Sequence, residues 1–241
     1  MIQVCLNGAR APESHPALPV TPQQLAADAA VLHELGVKHF HLHPRDVAGR
    51  EVLAGPEVAT AVAVIRAAVP HAELGVTTAA WVQPDPVRRA ELVAGWAGLA
   101  AGRPDVASVN VHEDGWLDVA HALRAAGVGL ELGVFHEDAA RTLVAAGLPD
   151  GTRRVLAEVQ PGGTTAEADA LLRLLAPLGA PILLHGEDDN AWSVLDHAVR
   201  LGLDTRIGLE DTLHNPDGTL TRDNVQLVTH AQRVVRANAV R

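Results

Sequence analysis

Apolar, β-rich runs alternate with longer runs of helical period along the whole sequence, and the alternation repeats eight times. The predicted strands cover residues 2–6, 38–43, 73–77, 107–112, 129–135, 154–159, 181–185 and 206–210. The first helical run shows why the intervening segments read as helices: Thr21 caps it, Pro22 takes the first helical position and Gly36 ends it. The others begin near Pro56, Pro86, Leu117, Asp138, Thr165, Ala191 and Arg222, and Gly127, Gly147, Gly179 and Gly202 close four of them. Eight βα units of roughly 30 residues predict a (β/α)8 TIM barrel, with residues 1–241 forming one domain.

An open, doubly wound sheet would show the same alternation. Closure is favoured by the polar residues at the predicted C-terminal strand ends, where barrels carry their active sites. Those ends hold Asn7, His41 with His43, Thr77 with Thr78, Asn110 with His112, Glu131, Glu158 with Gln160, His185, and Glu210 with Asp211. Every strand contributes.

Composition narrows the chemistry. A chain of 241 residues that is 48% hydrophobic can bury a full core, and a net charge of -10 speaks against binding nucleic acid or an anionic membrane surface. Cys5 is the single cysteine and lies in an apolar run, so an intrachain disulfide is ruled out. No apolar run approaches the ~20 residues of a membrane span, and a cytoplasmic protein is expected. The chain has no tyrosine, a single lysine (Lys38) and serines only at Ser14, Ser108 and Ser193. None of these serines sits in a nucleophile elbow, and no dinucleotide fingerprint or phosphate loop occurs. Lys38 is the first residue of its strand and so stands at the end opposite the expected site. Carbon–carbon chemistry here would need a metal in place of a lysine imine.

His41 and His43 are two residues apart in a predicted strand, so they share one face and can close on one metal ion. The best third ligand is Glu210, whose strand pairs with the first when the barrel closes. Arg206, Gly208 and Glu210 share a face of that strand, and Asp211 follows. A cation, two carboxylates and a guanidinium together suit reactions next to a carbonyl. The plainer alternatives are a His-x-His pair used for packing and an Arg206 salt bridge at the barrel end. His39, His136, His197, His214 and His230 read as structural or solvated, while His112 and His185 stand where they could touch substrate.

With these residues in hand, the chain resembles the β-keto acid cleavage enzymes. The likeness rests on Asn7-Gly8-Ala9, His15-Pro16 through Pro22, His41-Leu42-His43-Pro44-Arg45-Asp46, Thr77-Thr78, Ser108-Val109-Asn110, Pro161-Gly162-Gly163, Arg206 to Asp211, and Asn224 to Val228. The resemblance implies a zinc-dependent barrel that converts a β-keto acid and acetyl-CoA into acetoacetate and a new acyl-CoA, working as a homo-oligomer. It implies His41, His43 and Glu210 as ligands of a single Zn2+, with Asp211, Arg206 and Thr77 catalytic. Ser108, Asn110, Arg10, Asn7 and Arg45 fall where substrate contacts are expected. Arg10 replaces a glutamate of the type member, which suits a neutral or anionic substrate tail. Two other functions are compatible with the same residues: a metal-dependent hydrolase of the amidohydrolase type, and a non-catalytic barrel that binds a metal and a carboxylate.

Overall fold

A computed structural model describes residues 1–239. Eight parallel strands form one sheet: β1 (Ile2–Cys5), β2 (His39–Leu42), β3 (Glu73–Thr77), β4 (Val106–Asn110), β5 (Gly129–Val134), β6 (Thr152–Val159), β7 (Ile182–Gly186) and β8 (Thr205–Ile207). They pair in the order β7-β6-β5-β4-β3-β2-β1-β8. A parallel bridge between Leu183 and Asp204, with the Leu184 amide donating to the Asp204 carbonyl at 2.9 Å, brings the two ends of the sheet together. The fold is a (β/α)8 barrel, as the eightfold alternation predicts.

Helices α1 (Pro22–Glu34), α2 (Gly55–Ala68), α3 (Pro86–Ala94), α4 (Trp116–Ala125), α5 (Glu137–Ala146), α6 (Thr165–Leu175), α7 (Ala191–Arg200) and α8 (Asn224–Ala239) follow the strands in turn. The Thr21 cap is present. Its hydroxyl accepts from the Gln24 amide at 3.3 Å, and the Gln24 side chain accepts from the Thr21 amide at 2.9 Å. The strand residues that alternate away from the barrel axis, such as Val4, Phe40, Leu74, Val109 and Leu132, are fully or almost fully buried. Together with the inner faces of the helices they form the apolar core.

The barrel floor is polar. Gln3 on β1 donates to Glu131 on β5 at 2.8 Å, and Arg154 on β6 pairs with Glu73 on β3 and lies 3.4 Å from Glu131. His39 adds a 3.0 Å contact to Glu73. Contacts between such distant staves must cross the interior, so this part of the barrel is filled by an ion network where side chains such as Val, Ile and Leu are common.

The eighth strand is shorter than predicted. Instead of running through residues 206–210 it stops at Ile207, and the Asp211 and Thr212 amides turn back to the Gly208 carbonyl at 2.9 and 3.1 Å. A β-carbon on Gly208 would lie 1.9 Å from the Cys5 carbonyl oxygen, so only glycine lets the chain press against β1 here. The turn decides the site, because strict alternation would send Glu210 and Asp211 to opposite faces. Asn224 at the start of α8 clasps this turn: it accepts from the Leu209 amide at 2.7 Å and donates to the Leu6 carbonyl at 2.9 Å.

Asn224 also donates to Asp28 on α1 at 2.7 Å. Burial raises the Asp28 pKa to about 6 despite that hydrogen bond. The folded state therefore keeps a proton that the unfolded chain loses near the ordinary aspartate pKa, and the folded state is penalised progressively until pH exceeds about 6. Asp28→Asn keeps an acceptor for Asn224 and removes the charge. Thermal melts should show the substitution raising Tm more at pH 8 than at pH 4.5; an equal change at both would contradict this.

Candidate metal centre and active site

Parallel pairing sets the rim of the site. Cys5 is in register with His41, His41 with Gly75, Thr77 with Ser108, and Glu158 with His185. Beyond β2, the next alternate residue is His43. Its backbone is gripped at both ends by Asn7, which accepts from the His43 amide at 2.9 Å and donates to its carbonyl at 3.0 Å.

Ligand atoms of His41, His43 and Glu210 all lie within 4.8 Å of one another. His43 Nε2 is 3.7 Å from Glu210 Oε1, and the two imidazoles meet edge to face with centroids 5.2 Å apart. His41 Nδ1 and Glu210 Oε2 are buried without a hydrogen-bond partner among the described residues. Such atoms are costly unless something coordinates them, and a metal ion is the group that three converging N and O donors serve. Burial lowers the His41 pKa to about 3, so its ring is neutral and able to donate a lone pair. Burial works to raise Glu210, but Arg206, His43 and His41 outweigh it and hold the carboxylate below its usual range. Both properties fit a divalent cation.

Arg206 organises the acids. Its Nε donates to Asp211 Oδ1 at 2.8 Å and its Nη2 to Glu210 Oε1 at 3.0 Å. Asp211 is completely buried, and burial together with the neighbouring Glu210 charge raises its pKa against the pull of Arg206. Its Oδ2 has no partner among the described residues. His185 stands between Asp211 and Glu158, its Nδ1 3.9 Å from Asp211 Oδ1 and its Nε2 3.5 Å from Glu158 Oε2. Burial raises Glu158 to about 8, so at neutral pH this carboxyl can donate as well as accept.

These groups meet a cavity of about 370 Å³ at the C-terminal end of the strands. His41, His43, Glu210, Arg206, Thr77, Ser108, Asn110 and Arg10 all line it. Thr77 is held by its hydroxyl, which accepts from the Ala79 amide at 3.1 Å, and Asn110 donates to Glu113 at 2.9 Å. Arg10 spends its Nε on the Leu209 and Glu210 carbonyls, at 2.7 and 3.1 Å, and its Nη2 on Asp188. Its charge is thus matched by Asp188 while the side chain still lines the cavity.

Asn7, Arg45, Asp211 and His185 do not line the cavity, the last two lying buried behind Arg206 and Glu158. The Asn7 amide is used up on His43, and Arg45 donates to the Gly49, Gly8 and Arg10 carbonyls at 2.9, 2.8 and 2.6 Å. Both satisfy backbone groups that the strand ends and loops leave unpaired. His112 packs on Phe135 and His136, with centroids at 4.8 and 5.5 Å, and does not line the cavity. His39 and His197 pair with Glu73 and Asp169, and His136 caps α5. The lining also includes Trp81, Phe135, Leu156, Glu158 and Glu187. Of these, Glu158 was visible as a strand-end acid, and Trp81 follows a strand end closely enough to be suspected.

The sequence matches the family described as beta-keto acid cleavage enzyme over residues 1–240. A search of curated proteins finds no match. Among solved structures, the binary complex of ObcA with oxaloacetate has a TM-score of 0.63 and 18% identity, covering 93% of this chain and 63% of ObcA. The ternary complex of ObcA with a C4-CoA adduct and oxalate has a TM-score of 0.61 at 18% identity, over 93% of this chain and 64% of ObcA. A type I 3-dehydroquinate dehydratase from Clostridium difficile has a TM-score of 0.66 at 12% identity, over 98% of this chain and 90% of the dehydratase. These likenesses establish the barrel fold. The chain spans less than two thirds of ObcA.

Gly8 adopts φ 59°, and a β-carbon there would lie 2.3 Å from Glu210 Cγ. Gly8→Ala should displace Glu210 and weaken divalent-metal binding about 10- to 100-fold, as losses in the shell around a metal do. Competition against a chromogenic chelator measures this, and an unchanged affinity would show that Glu210 is not held by this contact.

Proposed function

The chain belongs to the beta-keto acid cleavage enzyme family, and from that membership we propose that it transfers the acyl part of a β-keto acid to CoA, with acetyl-CoA as cosubstrate and acetoacetate as the other product. The observation that carries this reading is the convergence of His41, His43 and Glu210 with Arg206 at one cavity, and with Asp211 directly behind Arg206. His41, His43 and Glu210 would hold a zinc ion. When bound, zinc supplies Lewis-acid polarisation of the substrate's keto oxygen.

The protein's own groups do the rest. Arg206 keeps Nη1 clear of protein acceptors among the described residues, which suits it to a substrate carboxylate or a developing oxyanion. Asp211, whose raised pKa brings it nearer neutrality, is assigned as the base that moves a proton next to the carbonyl. The Thr77 hydroxyl is assigned to the reacting end, with Ser108, Asn110 and Arg10 along the cavity wall. Asn7 and Arg45 are assigned to holding the backbone of His43 and of the Gly8–Arg10 loop. CoA binding is in keeping with the CoA adduct seen in ObcA, whose likeness to this chain is one of fold at 18% identity. The same reading has the protein act as a homo-oligomer in the cytoplasm; no described helix is long and apolar enough to cross a membrane.

Incubation with a panel of β-keto acids and acetyl-CoA should release acetoacetate, and zinc-loaded protein that turns over none of them would overturn the assignment. Asp211→Asn should cut turnover by about two to four orders of magnitude while the metal content stays at the wild-type level. Retained turnover would take the base role from Asp211.

A further inference from the structure

Among the side chains outside the ligand set, Glu51 is placed to control one of the ligands. It lies in a small hairpin after β2: the Asp46 amide donates to the Arg50 carbonyl at 2.8 Å, the Val52 amide to the Pro44 carbonyl at 3.0 Å, and Arg45 bridges to Glu51. That hairpin turns the Glu51 carboxylate back onto the strand end it follows. Glu51 Oε1 makes a short hydrogen bond to His43 Nδ1, and Trp81 Nε1 donates to the same oxygen at 3.4 Å. The Trp81 ring lies nearly parallel to His43, at 22° with centroids 6.4 Å apart. The His43 side chain is 3% exposed and that of Glu51 15%, so water competes little for this contact.

A carboxylate only accepts, so Nδ1 must carry the ring proton. The lone pair is then on Nε2, the nitrogen 3.7 Å from Glu210 Oε1. His41 has no such partner: neither of its ring nitrogens makes a hydrogen bond to a described residue, so whichever one faces the ion, the other is unsupported. The two imidazoles are thus held differently, His41 by packing and His43 by a charge.

We propose that Glu51 is the positioning residue of the metal centre: it fixes His43 as the Nδ1–H tautomer, aims Nε2 at the ion and strengthens His43 as a donor, with Trp81 closing the contact at the cavity mouth. The proposal rests on His41, His43 and Glu210 being the metal ligands. Carboxylates behind metal-bound histidines act this way and typically contribute 10- to 100-fold in affinity.

Zinc affinity, measured by chelator competition on the full chain, should fall about 10- to 100-fold in Glu51→Gln, with the melting temperature of the metal-free protein unchanged. Cobalt substituted for zinc should show an altered visible spectrum in the variant. A Glu51→Gln protein that binds zinc as tightly as wild type overturns the proposal while leaving the ligand set intact. Wild type that binds no zinc, or a His41→Ala variant that binds it undiminished, overturns the ligand set and the proposal with it. Should Glu51→Gln fail to fold, 15N spectra of histidine in metal-free wild type decide, with His43 assigned by His43→Gln: the Nδ1–H tautomer is expected, and the Nε2–H tautomer or an even mixture rejects the role.

Discussion

A guanidinium taken out of water must be surrounded by acceptors, and the buried Arg206 meets that demand with two carboxylates from the turn that follows its own strand. The pairing works in both directions. Without Arg206, Glu210 and Asp211 would be two neighbouring buried anions, and at least one would take up a proton. With it, Glu210 stays ionised and can serve as a ligand. The turn that presents both acids is itself held by Gly208 against β1, by Asn224 from α8 and by Arg10 on the Leu209 and Glu210 carbonyls. The reactive geometry is therefore an outcome of barrel closure, because its parts come from the first, second and last staves.

Much of this was legible in the residues because of how a barrel partitions them. Alternate strand positions such as Val4, Phe40 and Leu74 must face apolar helices, and that requirement leaves a periodic trace. The His-x-His pair followed from the same rule. The end of β8 did not, since Ile207 and Leu209 flank Gly208 in a pattern that imitates a continued strand. What stops it is the closeness of Cys5, a contact across some 200 positions that no local pattern encodes.

Asn7 and Arg45 show the second limit. Polar residues at strand ends read as facing the substrate, yet the loops there also leave backbone groups unpaired, and these two side chains satisfy them. Trp81 and Glu51 meet His43 from separate loops, the first 38 positions away along the chain, so their partnership has no signature in spacing. Glu158 and His185 lie between these extremes: both were visible as strand ends, but only the register of β6 against β7 makes them neighbours.

The ion network beneath the site ties the protein's two halves together. Gln3, His39 and Glu73 belong to the first four strands, Glu131 and Arg154 to the last four, and two bonds, Gln3 to Glu131 and Arg154 to Glu73, cross that divide. A half-barrel made from either set would lose both crossing bonds and leave Glu73 without Arg154 and Glu131 without Gln3. This molecule is thus poorly suited to being split into fragments or rebuilt by duplicating one half, and its unfolding should be a single concerted event.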